Sequence, residues 1–243
     1  MGQKAHPKSL RLAAKVVDFD STWMPGKIDE YAEYVEEDHK VRQYLEKKLS
    51  TALLSRIEIH RKAQKLTIFV ITGRPGVVVG RGGQGLDSLR KSLQKLTGRK
   101  DIQIDVLEVN KPDADANLIA QNIASQLKNR VAYKRVVKQA IQRSMRSGIL
   151  GIKIRVSGRL GGAEIARSEW AKEGRIPNQT FRANIEHSIV KVPTVFGIIG
   201  VQVSVFTAEV LEGKAEKNIK YKNSNQDRMG GLAGQGARRQ RAR

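Results

Sequence analysis

Val79-Gly80-Arg81-Gly82-Gly83-Gln84-Gly85-Leu86 holds four glycines in eight residues. Backbone without a Cβ can bend freely and let a ligand approach closely. What flanks the stretch decides which kind of loop it is. Immediately upstream, Val77-Val78-Val79 reads as a short apolar helical segment. Before it come two strand-like runs. Ile57 and Ile59 alternate with charged residues over 56–61, and Leu66-Thr67-Ile68-Phe69-Val70-Ile71 is β-branched and apolar, with 62–65 as the turn between them. Further upstream, Val41, Tyr44, Leu45, Leu49, Ala52 and Leu53 recur at helical spacing. Downstream, Leu86, Leu89, Leu93 and Leu96 mark an amphipathic helix and Ile102, Ile104 and Val106 a third strand. Lys111-Pro112-Asp113 then closes the segment. A Walker loop is excluded, because no Gly-Lys-Ser/Thr follows. A Rossmann fingerprint fits poorly, because a helical segment and not a strand precedes the glycines.

The order helix, strand, strand, short helix, glycine loop, helix, strand resembles a KH domain of the prokaryotic type (type II). Such a domain carries G-x-x-G between two helices, where backbone can meet a sugar-phosphate chain. Gly80 and Gly83 are the matching pair, Arg81 supplies a mobile positive charge, and Gly82 loosens the loop further. The amides that open the following helix favour a phosphate there.

The 243 residues carry a formal net charge of +21, and 40% of them are hydrophobic. That apolar share builds packed cores and excludes a disordered basic chain. The charge opposes compaction by self-repulsion, so a polyanionic partner is expected. Nucleic acid is favoured over an anionic membrane surface, since each phosphate neutralised releases a counterion. Aromatic residues make up 5% of the chain, so recognition by many stacked bases is not expected. No cysteine is present, which removes disulfides and thiolate metal sites. No apolar run reaches membrane-span length, and Met1-Gly2-Gln3-Lys4-Ala5-His6 is neither a signal peptide nor a myristoylation site. A cytoplasmic protein without membrane contact, cofactor or metal is expected. His6, His39, His60 and His187 lack metal or triad spacing, and Ser157 and Ser168 lack a nucleophile-elbow context, so no enzyme is expected.

Charge is unevenly placed. Asp29, Glu30, Glu33, Glu36, Glu37 and Asp38 form an acidic stretch, read as a solvated helix face, with a dock for a basic neighbour as the other reading. Residues 114–147 contain no Gly or Pro and read as one long helix ended by Gly148. Asp115 alone offsets seven basic residues in it. Its apolar positions include Ile119, Ile123, Leu127, Val136, Val137 and Ile141, and Lys128, Arg135, Lys138 and Arg146 lie across from them with Lys134 at the flank. Solvated faces normally mix Lys with Glu at four-residue spacing, so this stripe reads as facing nucleic acid. Ile152, Ile154 and Val156 alternate with Lys153 and Arg155, and strand runs recur in 180–195 and 197–211. With the preceding helix or helices they predict a second α+β layer domain. Ser157 to Arg167 is a glycine- and arginine-rich turn suited to phosphate. After Leu211 the apolar pattern ends and the chain turns basic and glycine-rich.

The expected fold class is therefore α+β: a type II KH domain, then helices packed on an antiparallel sheet, then a basic disordered tail. The boundaries are an N-terminal segment at 1–40, the KH domain at 41–110, the C-terminal domain at 111–211 and a flexible tail at 212–243. Met1 to Pro7, Val41 to Leu45, Arg74 to Gly80, Gly148 to Lys153, Ser157 to Arg167, Glu169-Trp170, Glu173 to Pro177 and Gly197 to Val201 resemble the bacterial-type small-subunit ribosomal protein three family. The resemblance covers residues 1–211 in order. It implies a structural place in the head of the small subunit, bound to ribosomal RNA and near the messenger entry channel. It assigns messenger handling to Lys134, Arg135 and Lys138, where the family pattern has Arg at position 134. It further implies ribosomal RNA contacts by Lys4, His6, Arg159, Arg167 and Arg175. Partners would be small-subunit ribosomal RNA, mRNA and neighbouring head proteins, without homo-oligomerisation. The alternative is a free KH-type RNA chaperone or regulator, which would not need the C-terminal signature.

Overall fold

The computed structural model describes residues 5–13, 16–17, 19–62, 65–210 and 221–223. The helices are α1 (Pro7–Ala13), α2 (Ile28–Lys48), α3 (Pro75–Val79), α4 (Gln84–Thr97), α5 (Ala116–Lys128) and α6 (Tyr133–Arg146). The strands are β1 (Ser21–Thr22), β2 (Leu54–Lys62), β3 (Lys65–Thr72), β4 (Ile102–Val109), β5 (Gly151–Gly158), β6 (Arg167–Gly174), β7 (Ala183–Thr194), β8 (Gly197–Glu209) and β9 (Tyr221–Asn223). They form two compact units, one from 20–110 with β9 and one from 111–210 with the described residues before 20, so that the N-terminal segment expected at 1–40 is divided between them.

In the first unit β2 and β3 make an antiparallel hairpin, while β3 and β4 run parallel. A parallel pair needs a crossover, and α3, the glycine loop and α4 supply it. The sheet order is β1-β2-β3-β4-β9. Ile57 and Ile59, Leu66, Ile68 and Val70, and Ile102, Ile104 and Val106 turn one face inward, and Val41, Leu45, Leu49, Leu89 and Leu93 of the helices pack in the same core. This is the type II KH order expected from the periodicity. The helix before the hairpin begins at Ile28, well ahead of the apolar period at Val41. Its early turns carry the acidic stretch read from the sequence as a helix face, so that stretch and the apolar period from Val41 belong to one helix. Of the tail, Tyr221–Asn223 pair antiparallel with Val109, Glu108 and Leu107. The rest of 212–243 lies outside the described residues.

The acidic stretch is not simply a solvated face. Glu37 and Asp38 both pair with Arg61, Glu37 also takes the Arg99 Nε–H at 3.2 Å, and Trp23 Nε1 donates to Asp38 at 2.8 Å. Burial pulls the Arg61 pKa down, but hydrogen bonds to Asp38 and Glu37 raise it above its ordinary value. Two of the six carboxylates thus fasten α2 to β2 and the end of α4. Glu36 instead pairs with Lys40 one turn on, exposed to solvent.

The second unit is a four-stranded antiparallel sheet of order β6-β5-β8-β7. Ile119, Ile123, Leu127, Val136, Val137 and Ile141 share a core with Ile152, Ile154, Val156, Val201, Val203 and Val205. The single long helix read over 114–147 is corrected here to α5 and α6. Arg130 adopts a left-handed φ of 58°. Its N–H bonds to the Leu127 carbonyl, and that of Val131 to the Gln126 carbonyl. Those two bonds form a Schellman closure, a motif usually signalled by glycine. Arg stands in its place, so the sequence carries no stop sign. Asp115 caps α5 by accepting from the amides of Asn117 and Leu118.

α1 packs on β7. Its Arg11 is fully buried and donates to five backbone carbonyls, those of Pro7, Pro177, Asn178, Thr180 and Ala183. Burial lowers its pKa, and the carbonyls replace its lost water. Arg11→Ala should lower the unfolding free energy by about 2–4 kcal/mol in denaturant titration, and Arg11→Lys should recover little, because an ammonium cannot fork.

Nearby, His187 Nδ1 lies 2.8 Å from Ser204 Oγ, and its ring meets that of His6 edge-on at 4.9 Å. Burial first, then the charge of His6, hold the His187 imidazole below its ordinary value of 6.5. The folded protein therefore binds this proton less readily than the unfolded chain. As pH falls through about 6.5 toward the lower folded value, protons favour the unfolded chain and this contribution to stability is lost. The thermal midpoint should fall between about pH 7.5 and about pH 5.5, and His187→Gln should flatten part of that fall.

Candidate nucleic-acid interface

The glycine loop turns α3 into α4 within four residues. Gly80 has φ 70° and ψ −175°, Gly82 φ 60°, and Gly83 φ 85°, where it caps α4 without a side chain. All three positions lie in a region that L side chains avoid. Gln84, where α4 opens, is exposed beside the exposed Arg81 and Gly82. Gly85, given no role in the sequence reading, is the tightest point. A Cβ there would sit 2.6 Å from the Val78 carbonyl oxygen and 2.8 Å from that of Val79. Only glycine lets α4 start against the end of α3. The sequence signal was the fourth glycine of the cluster.

On α6, Lys134, Arg135 and Lys138 are all exposed, opposite the buried Val136, Val137 and Ile141. Spacings of three and four place Lys138 over both of the others. Neither α5 nor α6 contains an Asp or Glu. Tyr133, at the first turn, donates its hydroxyl to Glu169 of β6 at 2.9 Å, and this bond raises its pKa. That tie, which joins residues 36 apart in sequence, was not read from periodicity.

The three C-terminal arginines are not brought together. Gly158 pairs with Arg167, and Gly151 with Gly174. Arg159 and Arg167 therefore share one end of the sheet and Arg175 lies at the other, on the order of 20 Å away at the rise of a strand. Arg167 is exposed. Arg159 holds its own turn, donating to the Ala163 carbonyl at 2.8 Å and standing over the Phe196 ring at 5.7 Å. Arg175 pairs with Glu209 at 3.1 Å. His6 is engaged with His187, and Lys4 lies outside the described residues. Among the described residues no group of His, Asp and Glu is placed to hold a metal, and no helix is long and apolar enough to cross a membrane.

A type II KH unit joined to a unit of three helices and four strands with cationic surfaces defines an RNA-binding protein of the KH class. Residues 40–114 match the family model described as KH domain, and residues 123–205 that described as ribosomal protein S3, C-terminal domain. The small ribosomal subunit protein uS3 of Caldicellulosiruptor bescii is 48% identical over 220 residues, covering 90% of this chain and 98% of that one. The uS3 protein of Microcystis aeruginosa is 51% identical over 217 residues, 89% of each chain. That of Clostridium botulinum (strain Okra) is 48% identical over 222 residues, 91% of this chain and 98% of its own. The chain belongs to the uS3 family of small-subunit ribosomal proteins.

Gly85→Ala should force α3 and α4 apart, lowering the thermal midpoint by an amount equivalent to about 1–3 kcal/mol and weakening binding of an unstructured oligoribonucleotide. Gly82→Ala, with nothing within 4 Å of its Cβ, should cost only about 1 kcal/mol, from the left-handed backbone alone.

Proposed function

We infer that this chain is an architectural, RNA-binding component of the small ribosomal subunit head and works in the cytoplasm without enzymatic chemistry. Two RNA-facing devices serve it. The loop from Gly80 to Gly83 offers bare backbone, helix amides and Arg81 to a sugar-phosphate chain. The stripe Lys134, Arg135 and Lys138 lines the messenger path, holding phosphates of an incoming strand by point charge and, at Arg135, by a planar fork. Arg167 contacts head RNA, with Arg159 and Arg175 acting partly through the turns they hold. The observation that carries the stripe is the exposure of three cations on a helix pair free of carboxylates, fixed to the sheet by Tyr133 and Glu169. Neighbouring head proteins complete the surroundings. A free RNA chaperone of the KH class is the rival, and the second unit argues against it, because the match to the ribosomal C-terminal domain lies there.

Purified protein should co-sediment with small subunits in sucrose gradients at high salt, where loose electrostatic association is lost. Replacing Lys134, Arg135 and Lys138 together by Ala should leave assembly intact, slow messenger passage through structured regions, and lower the salt slope of single-strand binding by about 2. Failure of assembly before any loss of messenger passage would make the stripe a ribosomal RNA dock instead.

A further inference from the structure

α5 and α6 cover one face of the sheet in the second unit; α1 covers part of the other at β7, where His6 meets His187, and the rest of that face, toward β6, is open. The residues on that open face form a patterned surface that the loop and the stripe do not use. Register places Lys172 directly beside Lys153 and Trp170 directly beside Arg155. Gln202 follows Arg155 across β8, and Lys191 stands further out on β7. The same parity that sends Ile152, Ile154 and Val156 into the core sends Lys153 and Arg155 outward. No Asp or Glu occupies an outward position in these three cross-strand rows. Trp170 is 65% exposed, and the Lys153 ammonium lies 5.3 Å from its ring centroid.

We propose that this open sheet face is an RNA-binding platform on which an unpaired base stacks on Trp170 while adjacent phosphates meet Lys153, Lys172, Arg155 and Lys191. Three arguments carry it. Like charges directly opposite across antiparallel strands repel, and Lys153 faces Lys172, an arrangement that a polyanion relieves. Protein interfaces are depleted in lysine at their centres, whereas phosphate contacts use it freely. An exposed indole on an open sheet face suits the face of an unstacked base, which a duplex does not offer. The inference rests on the RNA-binding reading above and adds a site to it.

The test uses the full chain with labelled decauridylate and, in parallel, an RNA duplex. In a Gly83→Asp background, which silences the loop, Trp170→Ala should weaken decauridylate binding about tenfold and Trp170→Phe should restore most of it. Lys153→Gln with Lys172→Gln should lower the salt slope by about 1.4. Duplex binding should be insensitive to Trp170. In reconstituted subunits, ultraviolet cross-linking should attach the peptide containing Trp170 to ribosomal RNA. Unchanged decauridylate binding by the Trp170→Ala chain would sink the platform, as would a cross-link from that peptide to a protein. Either result would leave the proposed function standing, because that reading fails only if the unaltered chain does not co-sediment with the subunit.

Discussion

The approach of Gly85 to the carbonyls of Val78 and Val79 sets the geometry of the first unit. α3 can end and α4 can begin within four residues only because no Cβ stands between them. That short elbow closes the crossover demanded by the parallel pair β3 and β4. Relax it, and α4 no longer brings Leu89 and Leu93 down on Ile68 and Ile104, members of one core. The same elbow leaves Gly80, Gly82 and Gly83 in left-handed conformations, with Arg81, Gly82 and Gln84 exposed. The fold requirement and the binding surface therefore share one cause: a backbone too crowded at Gly85 and too tightly turned at its neighbours for side chains.

A net charge of +21 does not describe one population of cations. Arg11, Arg42, Arg61 and Arg99 turn inward. Arg42 donates to the Ile57 carbonyl at 2.7 Å and the Asp20 carbonyl at 3.0 Å, Arg61 and Arg99 share Glu37, and Arg11 gathers five carbonyls. All four are arginines, as expected where several acceptors must be held in a fixed fork. Lysine predominates on the outward surfaces, at Lys134, Lys138, Lys153, Lys172 and Lys191. An ammonium on a flexible stem suits a phosphate chain whose exact path need not be dictated by one side chain. The cations that build the fold are thus arginines, whereas the exposed ones are of both types, with Arg81, Arg135, Arg155 and Arg167 beside the lysines.

Local patterns made much of this legible. The KH order followed from alternation at Ile57 and Ile59, the leucine period after Leu86 and the glycine cluster, because each depends only on near neighbours. Gly85 stood in that cluster unexplained, since its clash partners are visible only once α3 and α4 are placed. The break between α5 and α6 escaped notice because Arg130 occupies a position that glycine normally announces. β6 was not read as a strand. Its sequence Arg-Ser-Glu-Trp-Ala-Lys-Glu-Gly is polar on nearly every position, and it is an edge strand with little core to mark it. Arg11 was invisible for another reason. Its acceptors lie more than 160 residues away, apart from Pro7, and no sequence pattern encodes such a meeting.

Alternation along β6 joins two surfaces of the second unit. Glu169 points to the helix side, where it takes the Tyr133 hydroxyl and so fixes the first turn of α6. Trp170, the next residue, points to the opposite face with Lys172 beyond it. Successive side chains of a strand must diverge, so one edge strand both anchors the helix that bears Lys134, Arg135 and Lys138 and presents the aromatic ring of the open face. A displacement of β6 by RNA on one face would be felt at Tyr133 on the other. Along its inner edge β6 pairs with β5, and the Tyr133 hydroxyl ties it to α6. Its polar sequence, which hid it from periodicity, is what an edge element with one face toward a helix and the other toward solvent requires.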